Sequence, residues 1–171
     1  MTINVLFVCL GNICRSPAAQ GILEKMVFDA GLEQQIKVDS CGTAAFNVGK
    51  NPDPRSVAAS AEAGYDISQQ IARQIDDDDF TNNDIIIAMD RPNLTNIQAW
   101  APKDFKGEIN LFMHYAKHNG HTQIPDPYYA DTNQFNAVIN TLEKASQALL
   151  DYIKQHYLES SKQQSQNNTQ Q

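Results

Sequence analysis

The sequence has few basic residues and no long hydrophobic run. It carries 13 Lys and Arg residues against 20 Asp and Glu residues, which gives a formal net charge of -7. A nucleic-acid-binding domain needs a basic surface for the phosphate backbone, so this balance argues against nucleic acid as a partner. No apolar stretch approaches the roughly 20 residues that a membrane-spanning helix requires, so we expect no membrane insertion.

Cysteine is also scarce. The chain has three, Cys9, Cys14 and Cys41, an odd number without CxxC or zinc-finger spacing, which argues against a disulfide framework or a zinc site. Residues 1–8 have neither the positively charged N-terminal region nor the small-residue cleavage site of a signal peptide. We therefore predict reduced thiols and a cytoplasmic location.

Strand and helix patterns alternate along the chain. Residues 3–9 are a continuous apolar run, typical of a parallel strand buried on both faces. Residues 17–30 have helical spacing, with Ser16 as the predicted N-cap and Pro17 at the first helical position. Further strands are predicted at 36–40, 84–89 and 108–112, and further helices at 53–64, after Asp90 and at about 134–157. The alternation predicts a single α/β domain with a parallel sheet.

Two segments stand out by composition alone. Residues 76–79 are four consecutive Asp, which we interpret as a solvated surface that could also favour a helix N-terminus. Residues 159–171 are rich in Gln, Asn and Ser and too polar to pack, so we predict a domain over 1–158 followed by a disordered polar tail.

The chemistry-bearing loop follows the first predicted strand. Cys9 ends that strand and Arg15 opens the helix, at the edge of an α/β sheet where ligands bind. The residues between them can curl so that their N–H groups line a nest for a phosphate. Gly11 permits close backbone approach, and Asn12 tolerates left-handed dihedrals. The predicted phosphate-binding residues are Leu10, Gly11, Asn12, Ile13, Cys14 and Arg15.

Such a nest favours the thiolate form of Cys9, a strong nucleophile toward phosphorus. Arg15 offers a planar fork of donors for two phosphate oxygens, and the Ser16 hydroxyl could donate a hydrogen bond to the Cys9 sulfur and help it leave. The alternative is a buried cysteine before a helix-opening arginine, without chemistry. The strand, the capped helix and the Gly and Asn residues of the loop favour the functional interpretation.

Phosphate transfer to a thiolate also needs a general acid, because an alkoxide or phenolate is a poor leaving group. Asp126 is the candidate, since prolines flank it and Tyr128 and Tyr129 follow as possible walls of a pocket for an aromatic ring. A proline-rich surface turn is the alternative for this segment. Asp90 and Asp131 lack such aromatic neighbours.

Residues 8–17, Val-Cys-Leu-Gly-Asn-Ile-Cys-Arg-Ser-Pro, and residues 126–129, Asp-Pro-Tyr-Tyr, resemble the low-molecular-weight protein tyrosine phosphatase family, and the resemblance extends over about residues 3–157. It implies a four-stranded parallel sheet flanked by helices on both faces and a mechanism without metal or cofactor. It also implies that Cys9 is the nucleophile, that Arg15 binds phosphate, and that Asp126 acts first as acid and then as base in hydrolysis of a phospho-cysteine.

The resemblance further implies that Cys14 is the redox partner of Cys9 in a reversible disulfide. Two positions depart from common family members. Phe46, followed by Asn47, stands where a Trp often lines the pocket mouth, so we expect an aromatic wall there. Gln70 replaces a histidine, and we expect its amide to hydrogen-bond to Asn12.

Three alternatives use the same fold. An arsenate reductase needs further cysteines in the middle of the chain, and none follows Cys41. In the phosphoarginine phosphatase branch a Thr replaces Ile13 and the paired tyrosines are missing. A phosphotyrosine-binding module should have lost Cys9 or Asp126. The prediction is therefore a phosphatase for phosphotyrosine-containing proteins, monomeric or weakly dimeric, whose natural substrate the sequence does not reveal.

Overall fold

A parallel sheet of four strands organises the molecule, and the computed structural model describes residues 1–116 and 122–169. The strands are β1 (Ile3–Cys9), β2 (Ile36–Gly42), β3 (Ile85–Ala88) and β4 (Glu108–Leu111). They lie in the order β2-β1-β3-β4, and every neighbouring pair is parallel. The predicted fold class, a single α/β domain with four parallel strands flanked by helices on both faces, is confirmed.

β1 is buried on both faces, which explains its unbroken apolar run from Val5 to Cys9. Successive side chains of a strand point to opposite faces of the sheet. Val5 and Phe7 accordingly pack in one hydrophobic core with residues of the helices at Arg15–Asp29 and Thr132–Ile153, whereas Leu6 and Val8 pack in a second core on the other face. A strand placed between two cores can carry few polar residues along its length.

The helices follow the predicted order. They are α1 (Arg15–Asp29), α2 (Pro54–Glu62), α3 (Asp78–Asn82), α4 (Arg91–Trp100), α5 (Thr132–Ile153) and α6 (Ser160–Thr169), with a 3-10 helix at Phe112–His114 and a π-helical stretch at Lys154–Glu159. The prediction that Ser16 caps α1 is wrong, because the helix starts at Arg15 and Cys14 is its N-cap. The chain enters the helix directly from the preceding loop, which turns the Ser16 hydroxyl toward that loop.

The acidic run at 76–79 is not wholly a solvated surface, as we had expected. Asp79 is buried, and its two carboxylate oxygens accept hydrogen bonds from Arg73 at 3.0 and 2.8 Å. The backbone N–H of Asp76 donates to the same carboxylate at 2.9 Å. A buried carboxylate is tolerated here because charged and polar donors satisfy it.

The division into a domain over 1–158 and a disordered polar tail stays a prediction, and residues 160–169 of that segment form α6. The π-helical stretch connects it to α5, so α6 extends an existing helix and avoids the cost of starting a new one. Positions 170–171 lie outside the described residues, as do 117–121. Within the described ranges, we find no helix with the length and apolarity needed to cross a membrane.

Candidate active site

The loop between β1 and α1 lies at the carboxyl edge of the sheet, where Cys9 ends the strand. Asn12 has a φ of 56°, and it is the one non-glycine residue with positive φ in the described part of the chain. This left-handed turn folds the loop back so that the N–H of Asn12 donates to Cys9 Sγ at 3.3 Å. We call residues 9–15 the phosphate loop.

The side chain of Asn12 stabilises the phosphate loop through hydrogen bonds on the side away from the pocket. Its Nδ2 donates to Ser16 Oγ at 2.8 Å and to Ser40 Oγ at 3.0 Å. Its Oδ1 accepts from the backbone N–H of Arg73 at 3.0 Å. Asn12 was predicted among the phosphate-binding residues, but its side chain points away from the pocket and is fully bonded within the protein.

The prediction that Gln70 holds Asn12 is wrong. The Nε2 of Gln70 donates to the carbonyl of Pro17 at 2.9 Å, and its Oε1 is buried without a hydrogen-bond partner. The backbone N–H of Arg73 takes the position at Asn12 Oδ1 that we had expected for Gln70. Gln70 therefore supports the start of α1 instead of the phosphate loop.

The Cys9 sulfur lies at the buried floor of the site. Its Sγ is 3.0 Å from Ser16 Oγ. The same hydroxyl lies 3.3 Å from the carbonyl oxygen of Cys41, so its single proton has two possible acceptors. A negative charge on sulfur would attract that proton, and the supporting role of Ser16 stays a prediction.

Arg15 is fully buried, with 2% of its side chain exposed. Nη1 lies 2.6 Å from Asp90 Oδ2 and donates to the carbonyl of Ile124 at 3.0 Å. Nη2 is 3.5 Å from Asp126 Oδ2. Burial opposes the charge of Arg15, but the negative charges of Cys9 and Asp90 outweigh it and raise the pKa of the guanidinium. Arg15 therefore remains a cation in a fixed orientation.

Sequence reasoning missed Asp90 as the partner of Arg15 and predicted only that a helix follows it, a helix that Asp90 caps. A signal for the pairing was available. β3 is the neighbour of β1 in the sheet, and the carboxyl ends of parallel strands meet at one edge. A carboxylate that follows β3 closely is therefore within reach of the loop that follows β1.

Asp126 stands at the rim of the site, with 39% of its side chain exposed. Its Oδ1 accepts a hydrogen bond from the backbone N–H of Tyr128 at 3.1 Å. The rings of Tyr128 and Tyr129 meet edge to face, with 4.9 Å between their centroids. We call residues 126–130 the acid segment.

The phosphate loop and the acid segment enclose a pocket of about 300 Å³. It is lined by Cys9, Leu10, Gly11, Ile13, Cys14, Arg15, Phe46, Asn47, Asp126, Tyr128 and Tyr129. The structure therefore brings all the predicted site residues into the pocket lining except Asn12, whose side chain points behind the loop, and Ser16, which lies beside the Cys9 sulfur. A sulfur and an arginine at the base, a carboxyl group at the rim and aromatic walls suit an aromatic phosphate ester.

Cys14 lines the same pocket as a free thiol. Burial, and then the negative charge of Asp53, raise the pKa of Cys14. Burial also raises the pKa of Cys41, which lies deeper. These two thiols therefore stay protonated at neutral pH, which leaves Cys9 as the candidate nucleophile.

Comparison with known proteins agrees with this geometry. The family described as low molecular weight phosphotyrosine protein phosphatase matches residues 4–162. The Schizosaccharomyces pombe protein of that name is 41% identical over 152 residues, which cover 88% of this chain and 97% of the yeast protein.

Solved structures agree with the sequence comparison. A protein tyrosine phosphatase structure from Entamoeba histolytica matches with a TM-score of 0.85 and 35% identity, covering 94% of this chain and 99% of that chain. The Drosophila arginine phosphatase matches with a TM-score of 0.82 and 32% identity, covering 88% and 97%. The chain belongs to the low molecular weight phosphotyrosine protein phosphatase family.

Proposed function

We propose that this protein hydrolyses phosphotyrosine in protein substrates through a phospho-cysteine intermediate on Cys9. The observation that carries the proposal is the shared pocket, in which Cys9, Arg15 and Asp126 meet under the rings of Tyr128 and Tyr129. Each of these groups has a separate task in two successive transfers of one phosphoryl group.

In the first transfer the phosphate binds over the N–H groups of the phosphate loop and the free donors of Arg15. The Cys9 thiolate attacks phosphorus, and the bond from phosphorus to the tyrosine oxygen breaks. Protonated Asp126 gives its proton to that oxygen, so that a neutral phenol leaves. Arg15 stabilises the charge that spreads over the phosphoryl oxygens in the transition state.

In the second transfer Asp126, now a carboxylate, accepts a proton from water while the water oxygen attacks phosphorus. The sulfur–phosphorus bond breaks, inorganic phosphate is released and Cys9 leaves as a thiolate. The hydroxyl of Ser16 and the N–H of Asn12 both lie within hydrogen-bond distance of that sulfur. They stabilise its returning negative charge.

The walls of the pocket favour an aryl ester over other phosphates. Tyr128, Tyr129 and Phe46 surround the opening, and an aromatic leaving group can pack against them. Phosphoarginine hydrolysis and arsenate reduction are not favoured. Ile13 and the paired tyrosines differ from the phosphoarginine branch, and no cysteine follows Cys41 to relay a disulfide outward.

Cys14 is our proposed resolving thiol, because it lines the same pocket as Cys9. Peroxide would oxidise the Cys9 thiolate to a sulfenic acid, and attack by Cys14 would then form the disulfide and release water. Cys14 attacks as its thiolate, a form that burial disfavours by raising the pKa of Cys14. A cytoplasmic location and a monomer or weak dimer remain predictions.

The experiment is hydrolysis of a phosphotyrosine peptide in excess EDTA. We expect turnover by the unmodified protein, no turnover but retained phosphate binding in Cys9→Ser, and strongly slowed turnover in Asp126→Ala. Full activity in Cys9→Ser would contradict the mechanism. Faster hydrolysis of phosphoarginine, or arsenate reduction with thioredoxin, would move the assignment to the corresponding alternative.

A further inference from the structure

Another ion pair, Asp53–Arg55 at the start of α2, touches both the phosphate loop and the acid segment. On the loop side, the backbone N–H of Asp53 donates to the carbonyl of Ile13 at 2.8 Å. The hydroxyl of Ser56, one residue beyond Arg55, is buried and donates to the carbonyl of Cys14 at 3.0 Å. The first turn of α2 is therefore fastened to the phosphate loop by two hydrogen bonds.

Asp53 holds Arg55 in one orientation. Nε of Arg55 donates to Oδ1 of Asp53 at 3.0 Å, and Nη2 lies 2.9 Å from Oδ2, which is the bidentate geometry of a guanidinium on a carboxylate. The same Asp53 accepts from the backbone N–H of Arg55 at 2.8 Å and so caps α2. Hydrogen bonds from Arg55 lower the pKa of Asp53, which keeps the carboxylate charged.

The other edge of the Arg55 guanidinium faces the acid segment. Nη2 donates to the carbonyl of Tyr128 at 2.9 Å, and Nη1 to the carbonyl of Ala130 at 3.4 Å. The guanidinium carbon also lies 4.6 Å from the ring centre of Phe135 and 5.5 Å from that of Tyr128. One side chain thus bonds two carbonyls of a segment that lacks regular secondary structure.

The last contact leads to the acid itself. The N–H of Tyr128 donates to Asp126 Oδ1 at 3.1 Å. Arg55 therefore hydrogen-bonds to the carbonyl of the same residue whose N–H orients the Asp126 carboxyl group. Tyr129 next to it is 96% exposed and gives the segment little packing support. The path from Ile13 through Asp53, Arg55 and Tyr128 to Asp126 is continuous.

We propose that Arg55 is a positioning residue that sets the location of the Asp126 carboxyl group relative to the phosphate loop. The inference rests on the proposed function, because it assumes that Asp126 protonates the leaving group. A displacement of about 1 Å in a catalytic group can slow a reaction by about 100-fold. A segment at the surface keeps that precision only if a rigid element fixes it.

The proposal has a kinetic signature that loss of folding does not produce. The leaving group of phenyl phosphate is a basic phenolate, which needs a proton from the acid. The p-nitrophenolate of p-nitrophenyl phosphate is far less basic and leaves readily without it. For Arg55→Gln we expect kcat/KM to fall about tenfold or more for phenyl phosphate and less than about threefold for p-nitrophenyl phosphate. Arg55→Lys should behave in the same way, because an ammonium cannot bond the carboxylate and both carbonyls with a planar fork.

The matched control is Arg91→Gln, which removes the same charge from an exposed position on α4. We expect it to keep both rates within about twofold, as exposed substitutions usually do. In an Asp126→Ala background, Arg55→Gln should cause no further loss of kcat/KM for phenyl phosphate, because the group that it positions is gone. Additive losses, or equal losses on the two substrates, would overturn the positioning role.

A second variant keeps the test decisive if Arg55→Gln does not fold. Asp53→Asn retains a good N-cap for α2 but loosens Arg55, so we expect the same substrate-dependent loss at a smaller size. An unchanged ratio of the two kcat/KM values in folded Asp53→Asn would also overturn the proposal. Failure of the unmodified protein to hydrolyse either ester would contradict the proposed function, and is thereby distinguished from failure of the inference.

Discussion

Arg15 Nη1 lies 2.6 Å from Asp90 Oδ2, and this ion pair joins the first turn of α1 to the residue that caps α4. The guanidinium is fully buried and cannot turn freely. Because one edge is committed to Asp90 and to the carbonyl of Ile124, its Nη2 edge is left for the pocket. Asp90 therefore fixes the orientation in which the Nη2 edge of Arg15 faces the pocket.

We predict that Asp90→Asn weakens phosphate binding and turnover together. A hydrogen bond to a charged group contributes about 1.5–3 kcal/mol, so kcat/KM should fall by about tenfold to 100-fold. The inhibition constant of inorganic phosphate should rise in parallel. Asp104→Asn at an exposed position is the control. An unchanged inhibition constant in Asp90→Asn would show that Asp90 does not orient Arg15.

We predict that Ser16→Ala slows the second transfer more than the first. Ser16 Oγ lies 3.0 Å from the sulfur that must leave, so kcat should fall by about tenfold or more while kcat/KM changes less. Rapid quenching and intact mass measurement should show accumulated phospho-cysteine. Ser146→Ala is the control, because its buried hydroxyl has no hydrogen-bond partner. Equal effects on kcat and kcat/KM would argue against this role.

We predict a graded loss of stability at Asn12. Asn12→Gly removes the three side-chain hydrogen bonds, at about 1 kcal/mol each. Asn12→Ala loses the same bonds and adds about 1–2 kcal/mol of strain, because alanine is disfavoured at a φ of 56°. In urea unfolding, the free energy of unfolding should therefore be highest for the unmodified protein, lower for Asn12→Gly and lowest for Asn12→Ala. Equal values for the two variants would exclude strain as a cause.

We predict that Gly42→Ala disables the phosphate loop. A Cβ at Gly42 would lie 2.8 Å from the carbonyl oxygen of Leu10 and 3.1 Å from the N of Asn12. Backbone atoms must then shift, and activity should fall by about 100-fold. Gly64→Ala is the control for stability, since its φ of 99° strains an alanine far from the loop. It should lower the melting temperature without comparable loss of kcat.

We predict that thiol labelling at neutral pH distinguishes the cysteines. Burial raises the pKa of Cys14 and Cys41 above the ordinary value of 9.0, so both remain neutral thiols at pH 7 and react slowly with iodoacetamide. Peptide mass spectrometry should find the label on Cys9 and less of it when phosphate is present. Labelling of Cys14 should increase only as pH rises. Denatured protein should label at all three positions, and equal labelling in folded protein would contradict the prediction.

Local sequence was sufficient for the phosphate loop and for the sheet. Cys9, Gly11, Asn12 and Arg15 lie within seven consecutive residues, so strand, turn and helix rules alone place a sulfur below a ring of N–H groups. The two central strands, β1 and β3, were predictable because burial on both faces requires mostly apolar runs. Local rules were wrong at Asp79, which the guanidinium of Arg73, six positions earlier, makes a buried ion-pair partner.

The residues around the loop depended on tertiary structure. Asn12 contacts Ser40 and the N–H of Arg73, which are 28 and 61 positions away, and no local pattern indicates either pairing. The expected Gln70 contact failed for the same reason, since a backbone N–H from another segment already occupies its place. The sequence alone thus specified the phosphate loop and a candidate acid, because these depend on short-range geometry. Their orientation by Asp90, Arg55 and Arg73 was decided only by packing of segments that are far apart in the chain.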